Sequence, residues 1–108
     1  MSDTPTCNWQ GVSGRVYKYW VHPIKTPLKA AAGNYIFAKL NNLDQWVPVY
    51  IGQTENLSER FDNHHAMPCI KRNGATHIHA HLNSDEKARI EEEGDLIAAY
   101  STSCNIAA

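Results

Sequence analysis

Four stretches of this chain predict strands, and in three of them successive positions divide into two facing sets. Residues 75–82, ATHIHAHL, alternate without a break: His77, His79 and His81 fall on one face, Ile78, Ala80 and Leu82 on the other. Residues 15–22, RVYKYWVH, set Val16, Lys18, Trp20 and His22 against Tyr17, Tyr19 and Val21, and Pro23 ends the run. Residues 33–40, GNYIFAKL, set Tyr35, Phe37 and Lys39 against Ile36, Ala38 and Leu40. NNLDQ is turn chemistry and predicts a hairpin into a strand over 46–51, with Pro48 at an edge-type position or near the strand start. Residues 1–13, broken by Gly11, read as a loose arm, and 23–32 as a connector.

Helical spacing takes over in three places. Leu57, Arg60, Phe61 and His64 recur at intervals of three and four, which predicts a helix after Gly52, with Thr54 as N-cap and Glu55 in the first turn. Residues 66–74 read as a short helix or turn that stops at Asn73-Gly74. Ser84 is the expected cap of a last helix that runs to about Tyr100, where Ile90, Glu93, Ile97 and Tyr100 share a stripe. Glu91 and Glu92 fall off that stripe and read as solvated. The expectation is an α+β domain: a three-stranded, mainly antiparallel sheet flanked by helices, with an extra N-terminal strand in residues 1–32 packed on the same domain.

Composition narrows the class. The chain has 108 residues, 43% hydrophobic and 19% charged, which suits one soluble domain with a single core. No run approaches the roughly 20 apolar residues of a membrane helix, and the N-terminus lacks a signal-peptide pattern. Cys7, Cys69 and Cys104 are odd in number and far apart, so the expectation is a reducing, cytoplasmic setting without a disulfide framework or zinc ribbon. The net charge of −1 does not advertise a polyanionic partner, yet residues 1–43 carry +4 and residues 44–108 carry −5.

Several positions carry more than packing explains. Arg60 and His64 share a helical face with two core-type side chains. Glu93 sits in an apolar stripe, where a carboxylate is costly unless paired or bound to a cation; the competing reading pairs it with Arg89 one turn back. His77, His79 and His81 tempt a zinc reading, but a row of three spans roughly 13 Å at about 3.3 Å per residue, so a solvated or substrate-facing surface fits better. Trp9, Trp20 and Trp46 could stack on bases, but core packing is the default for them.

These residues resemble the GIY-YIG nucleases. Gly33-Asn34-Tyr35 stands for the first motif, with Asn34 in place of the usual apolar middle residue, and Tyr50-Ile51-Gly52 is the second motif intact. Arg60 follows ten residues after the second tyrosine, His64 four later, and Glu93-Gly94-Asp95-Leu96-Ile97 is similar to the family's acidic helix, with Asn105 twelve residues on. The resemblance covers about residues 33–105. It implies metal-dependent hydrolysis of DNA phosphodiesters, with RNA also a possible substrate. Tyr35 would be the general base, Arg60 would brace the phosphate, Tyr50 and His64 would relay or orient, and Glu93 would hold one Mg2+ or Mn2+ ion. Gly52, Asn105, Lys71 and Arg72 would bind substrate or support the site. With no second domain to target it, such an enzyme would read DNA structure, act promiscuously, or depend on a partner protein or homodimer. Two other classes compete: a non-catalytic nucleic-acid-binding module on the same fold, and a histidine-rich metal-binding protein.

Overall fold

The computed structural model describes residues 4–59 and 64–105. Its elements are β1 (Thr6–Gln10), β2 (Val16–Pro23), β3 (Gly33–Leu40), β4 (Trp46–Thr54), a 3-10 turn (Leu57–Glu59), α1 (Met67–Arg72), β5 (His77–Leu82) and α2 (Glu86–Ala99). The strands form one sheet in the order β1-β2-β5-β3-β4, with each neighbouring pair antiparallel. The mixed α and β class is as the pattern predicts. The strand count is not: five strands replace three and an N-terminal addition.

The missed strand is β1. The sequence arm read as loose pairs with β2, from Thr6 against Trp20 to Gln10 against Val16. Its glycines make the hairpin rather than break it. Gly11 donates to the Arg15 carbonyl at 2.9 Å, and Gly14 takes φ +93°, a conformation that glycine reaches without a Cβ clash. Trp9 then buries itself beside Tyr19.

The sheet separates two cores. On one face, Tyr35, Phe37, Ile78 and Ala80 pack with Leu57, Met67 and Ile70, under the 3-10 turn and α1. On the other, Trp9, Tyr19, Ile36, Ala38 and Ile51 pack with Leu96 of α2. The hairpin at 41–45 forms as expected: Asn41 Oδ1 accepts from the backbone of Leu43 and Gln45, and Asp44 takes the left-handed conformation. Pro48 does lie on an edge strand. Phe37 faces Tyr50 and Ala38 faces Pro48, so Val49 is the extra residue of a bulge.

The central helix is corrected. β4 continues past Ile51 to Thr54, and Gly52 sits inside it opposite Tyr35. Thr54 accepts from Asn56 N–H at 3.0 Å, and Asn56 Oδ1 caps Ser58, so these polar side chains close a tight 3-10 turn instead of opening an α-helix. Arg60 and Phe61 fall outside the described residues. His64 precedes α1, and its carbonyl accepts from Met67 N–H. α1 stops where predicted, with Gly74 at φ +78°.

Two more expectations are overturned. Cys69 and Cys104 form a disulfide, which leaves Cys7 as the free thiol. The tail returns along β4 to α1, so cysteines 35 apart in sequence come to 5.7 Å between their Cα atoms. The argument for a reducing compartment therefore fails. On α2, the N-cap is Asp85, which accepts from Lys87 N–H, and the buried positions are Arg89, Glu92 and Leu96. Ile90 and Ile97 face solvent, and Glu92 is buried. Among the described residues no helix is long and apolar enough to cross a membrane.

Candidate active site

Tyr35 on β3 and Gly52 on β4 are register partners, and the missing Cβ at Gly52 is what lets the phenol lie across the edge strand. A Cβ there would stand 2.5 Å from Tyr35 Oη and 2.9 Å from a Tyr50 ring carbon. Tyr50 stacks on Tyr35 at a centroid distance of 6.1 Å with an interplanar angle of 21°. His64 meets both rings edge-on, at 5.6 Å and 4.6 Å. Its Nε2 lies 2.6 Å from Tyr35 Oη. Phenols and imidazole thus converge on the face covered by α1.

The histidine's second nitrogen fixes its role. Nδ1 accepts a hydrogen bond from Ala66 N–H at 3.0 Å. In a neutral ring the proton then sits on Nε2, which donates to the Tyr35 oxygen. Of the two routes open for activating the phenol, transfer of its proton to histidine or stabilisation of its anion, this hydrogen-bond pattern fits the second.

Glu93 comes from α2, on the other side of the sheet, and reaches the edge of β4. Ile51 exchanges both backbone hydrogen bonds with the side chain of Asn105, so its N–H and C=O point outward from the sheet. Gln53, two residues on, has the same orientation, and its N–H faces the Glu93 carboxylate. Burial pushes the Glu93 carboxyl above its ordinary value, and the Gln53 N–H pulls it back. Tyr35 Oη hangs over Gly52, and Gln53 N is the next backbone nitrogen. The phenol and the carboxylate therefore approach neighbouring residues of β4 from opposite faces of the sheet.

The expected alternative partner for Glu93 is engaged elsewhere. Arg89 is buried, with Nε bonded to Gln53 Oε1 and Nη1 to the Asn83 carbonyl, both at 3.0 Å. Among the described residues no cation stands beside the half-buried Glu93 carboxylate. The Glu92 carboxylate, by contrast, lies 2.6 Å from the His81 imidazole. A hard divalent ion takes one or two carboxylates and fills its octahedron with water and phosphate oxygens, so Glu93 is the described residue that could hold one. Zinc would ask for several nitrogen or sulfur ligands. No group of three or more His, Cys, Asp or Glu side chains gathers among the described residues.

The supporting residues distribute as follows. Asn105 clamps Ile51 and is itself held by Thr102 Oγ1 at 2.6 Å. Asn34 is fully buried and donates to the Arg89 carbonyl at 3.0 Å, so the polar residue in the first motif ties β3 to α2. Lys71 and Arg72 are exposed on the last turn of α1. Arg60 lies outside the described residues, so its place relative to Tyr35 and Glu93 is not part of this geometry.

The histidine row does not make a metal centre. His79 is buried and accepts from Trp9 Nε1 at 3.0 Å, with Trp46 edge-on at 4.6 Å. Burial, reinforced by His77 and His22, lowers it to about 4. His81 binds Glu92 at 2.6 Å. The same Glu92 oxygen accepts from Tyr19 Oη at 2.5 Å. Burial, then the neighbouring Glu92 charge, push the Tyr19 phenol up. Sequence reasoning, which read Glu92 as solvated, missed this trio. Alternation within each strand does not tell which side of β2 shares a face with the histidines of β5; the pairing of the two strands brings Tyr19 and His81 together. No protein-family model, no curated protein and no solved structure matches this chain.

Proposed function

We propose that the chain hydrolyses phosphodiester bonds in nucleic acid with the help of a divalent cation, as the GIY-YIG resemblance implies. The observation that carries the reading is the Tyr35–His64 pair, in which an N–H donated by His64 steadies negative charge on the phenol oxygen. A donor aimed at an anion favours the anion, so the pair equips Tyr35 to accept a proton from water. Tyr35 is only 2% exposed. In this reading the water reaches it across Gly52, at the edge of β4.

Glu93 would hold magnesium or manganese at that edge. Such an ion, when bound, neutralises phosphate charge and acidifies water. The chain's own residues supply orientation: Tyr50 fixes the ring of Tyr35 by stacking, Asn105 holds the β4 edge straight, and Arg60 would brace the phosphate with its planar fork. The near-complete burial of Tyr35 also supports a second reading, a module that binds nucleic acid without cutting it.

Cleavage assays on duplex, single-stranded and branched DNA and on RNA, with magnesium or manganese, separate the two. Expected is metal-dependent cutting that falls at least about a hundredfold in Tyr35→Phe and Glu93→Gln, with both variants still melting cooperatively. A folded Glu93→Gln protein that cuts at the wild-type rate removes the acid from the mechanism. Salt-sensitive binding without cutting on every substrate replaces the enzyme with the binding module.

A further inference from the structure

The covered and uncovered halves of the Tyr35 face differ sharply. α1 and the 3-10 turn roof β3 and β4, while β2 and β5 carry an open groove of about 450 Å³ lined by Trp20, Leu28, Leu57, Ala80 and Leu82. Ala80 forms the floor because its methyl is too short to fill the space between Trp20 and Leu57. Trp20 is 40% exposed and Leu82 53%, high values for large apolar side chains. The groove's charged rim is cationic. Lys29 lines it, and the Lys18 ammonium stands over the Trp20 ring at 5.4 Å. Among the described residues the lining contains no acidic side chain.

Register connects this groove to the candidate active site. Trp20 pairs with Ala80, Ala80 with Tyr35, and Tyr35 with Gly52, so the four share one row across the sheet. Trp20 and Tyr35 are two strand spacings apart, about 10 Å. A nucleic-acid strand whose phosphate lies at Gly52 reaches Trp20 within a few nucleotides.

We propose that the groove seats an unpaired nucleobase of the strand being cut, with Trp20 as the stacking surface and Lys18 and Lys29 beside its phosphates. The substrate class is then single-stranded nucleic acid or a duplex with unpaired bases near the cleavage site. An aromatic surface takes any base, since every base presents a π-face, and the two lysines match the charge of the backbone. The proposal rests on the reading that the partner is a nucleic acid, and it can fail independently of the hydrolytic step.

The test uses the full chain in EDTA, which prevents divalent-dependent cutting. Fluorescence anisotropy measures binding of a short labelled single strand, the same strand carrying abasic sites, and the matching duplex. Expected is tighter binding of the single strand than of the duplex. Trp20→Ala and the abasic strand each weaken it by about tenfold or more, and Trp20→Phe recovers most of the loss. Lys29→Glu weakens natural and abasic strands alike. Wild-type affinity in a folded Trp20→Ala protein overturns the proposal, as does an abasic strand that binds equally well. Sedimentation that shows Trp20→Ala splitting a dimer assigns the groove to a second copy and also overturns it. If the wild type cuts nucleic acid but binding ignores Trp20, the groove fails alone. If binding depends on Trp20 and nothing is cut, the hydrolytic reading fails alone.

Discussion

Gly52→Ala is the most direct probe of the site's geometry. The new methyl would stand 2.5 Å from Tyr35 Oη, 2.6 Å from Cζ and 2.9 Å from a Tyr50 ring carbon. Carbon atoms pack at about 3.5–4.0 Å, so the Tyr35 ring must retreat by roughly 1 Å. It has little room, being wedged against Phe37, Tyr50 and His64. Retreat also breaks the 2.6 Å contact with His64. Overpacking costs about 1–3 kcal/mol and a lost hydrogen bond about 1 kcal/mol. The stiffer unfolded chain returns about 0.4–1 kcal/mol. The net loss is about 2–3 kcal/mol, a melting temperature lower by roughly 10–20 °C at about 4–8 °C per kcal/mol. Thermal melts of Gly52→Ala, Tyr35→Ala and the double variant measure it, and the double should cost about 2 kcal/mol less than the sum. A Gly52→Ala melt within about 2 °C of wild type, or strictly additive costs, would refute the placement of Tyr35 over Gly52.

Three further outcomes follow from other parts of the fold. Reducing the Cys69–Cys104 bridge, or replacing either cysteine by serine, releases a loop closed over 35 residues; chain entropy puts the loss near 4 kcal/mol, and thiol titration of the denatured, unreduced protein should find one free sulfhydryl rather than three. His79 sits near 4 in the native state against about 6.5 unfolded, so the unfolded chain binds the extra proton between these values, and stability drops by up to about 3 kcal/mol as pH falls from 6.5 to 4; melts across that window should show the drop, and a smaller one in His79→Gln. Gly94 is exposed inside α2 with open space where a Cβ would go, so Gly94→Ala should stabilise by about 1 kcal/mol, read as a rise of several degrees in melting temperature.

The strands were legible where residue types alternate, as in 75–82, or where an apolar, aromatic run is bounded by turn residues, as in 33–40. The last helix was misread because its buried face is polar. Arg89 and Glu92 point inward since the sheet offers them Gln53, Tyr19 and His81, while Ile90 and Ile97 point to water. Hydrophobic periodicity selects the apolar side of a helix, and here that is the solvent side. The stretch after Gly52 carried helical spacing, but Thr54 and Asn56 bind their own backbone and close a tight turn over residues 54–59. The disulfide left no trace in cysteine spacing because it depends on where the tail returns. The pairing of Tyr35 with Gly52 is readable in outline from two strand motifs; the commitment of His64 Nδ1 to Ala66 is a local backbone contact that side-chain patterns do not encode.

The placement of Glu93 follows from that polar helix face rather than from its own surroundings. Arg89 ties the first turns of α2 to Gln53 at the end of β4, and Glu92 ties the middle to Tyr19 and His81 on β2 and β5. These contacts are directional, so together they fix the rotation of α2 about its axis, whereas a greasy stripe would tolerate a slip between neighbouring rotamers. Glu93 is one position beyond Glu92 and one turn beyond Arg89. With the rotation set, its carboxylate has the outward N–H of Gln53 as a neighbour. Asn105 meanwhile holds Ile51 from outside, and the Cys69–Cys104 bridge anchors the tail that carries it. Buried polar groups of this kind cost desolvation and return specificity of register. In this fold they hold one carboxylate at the strand edge over which the Tyr35 phenol lies from the other face.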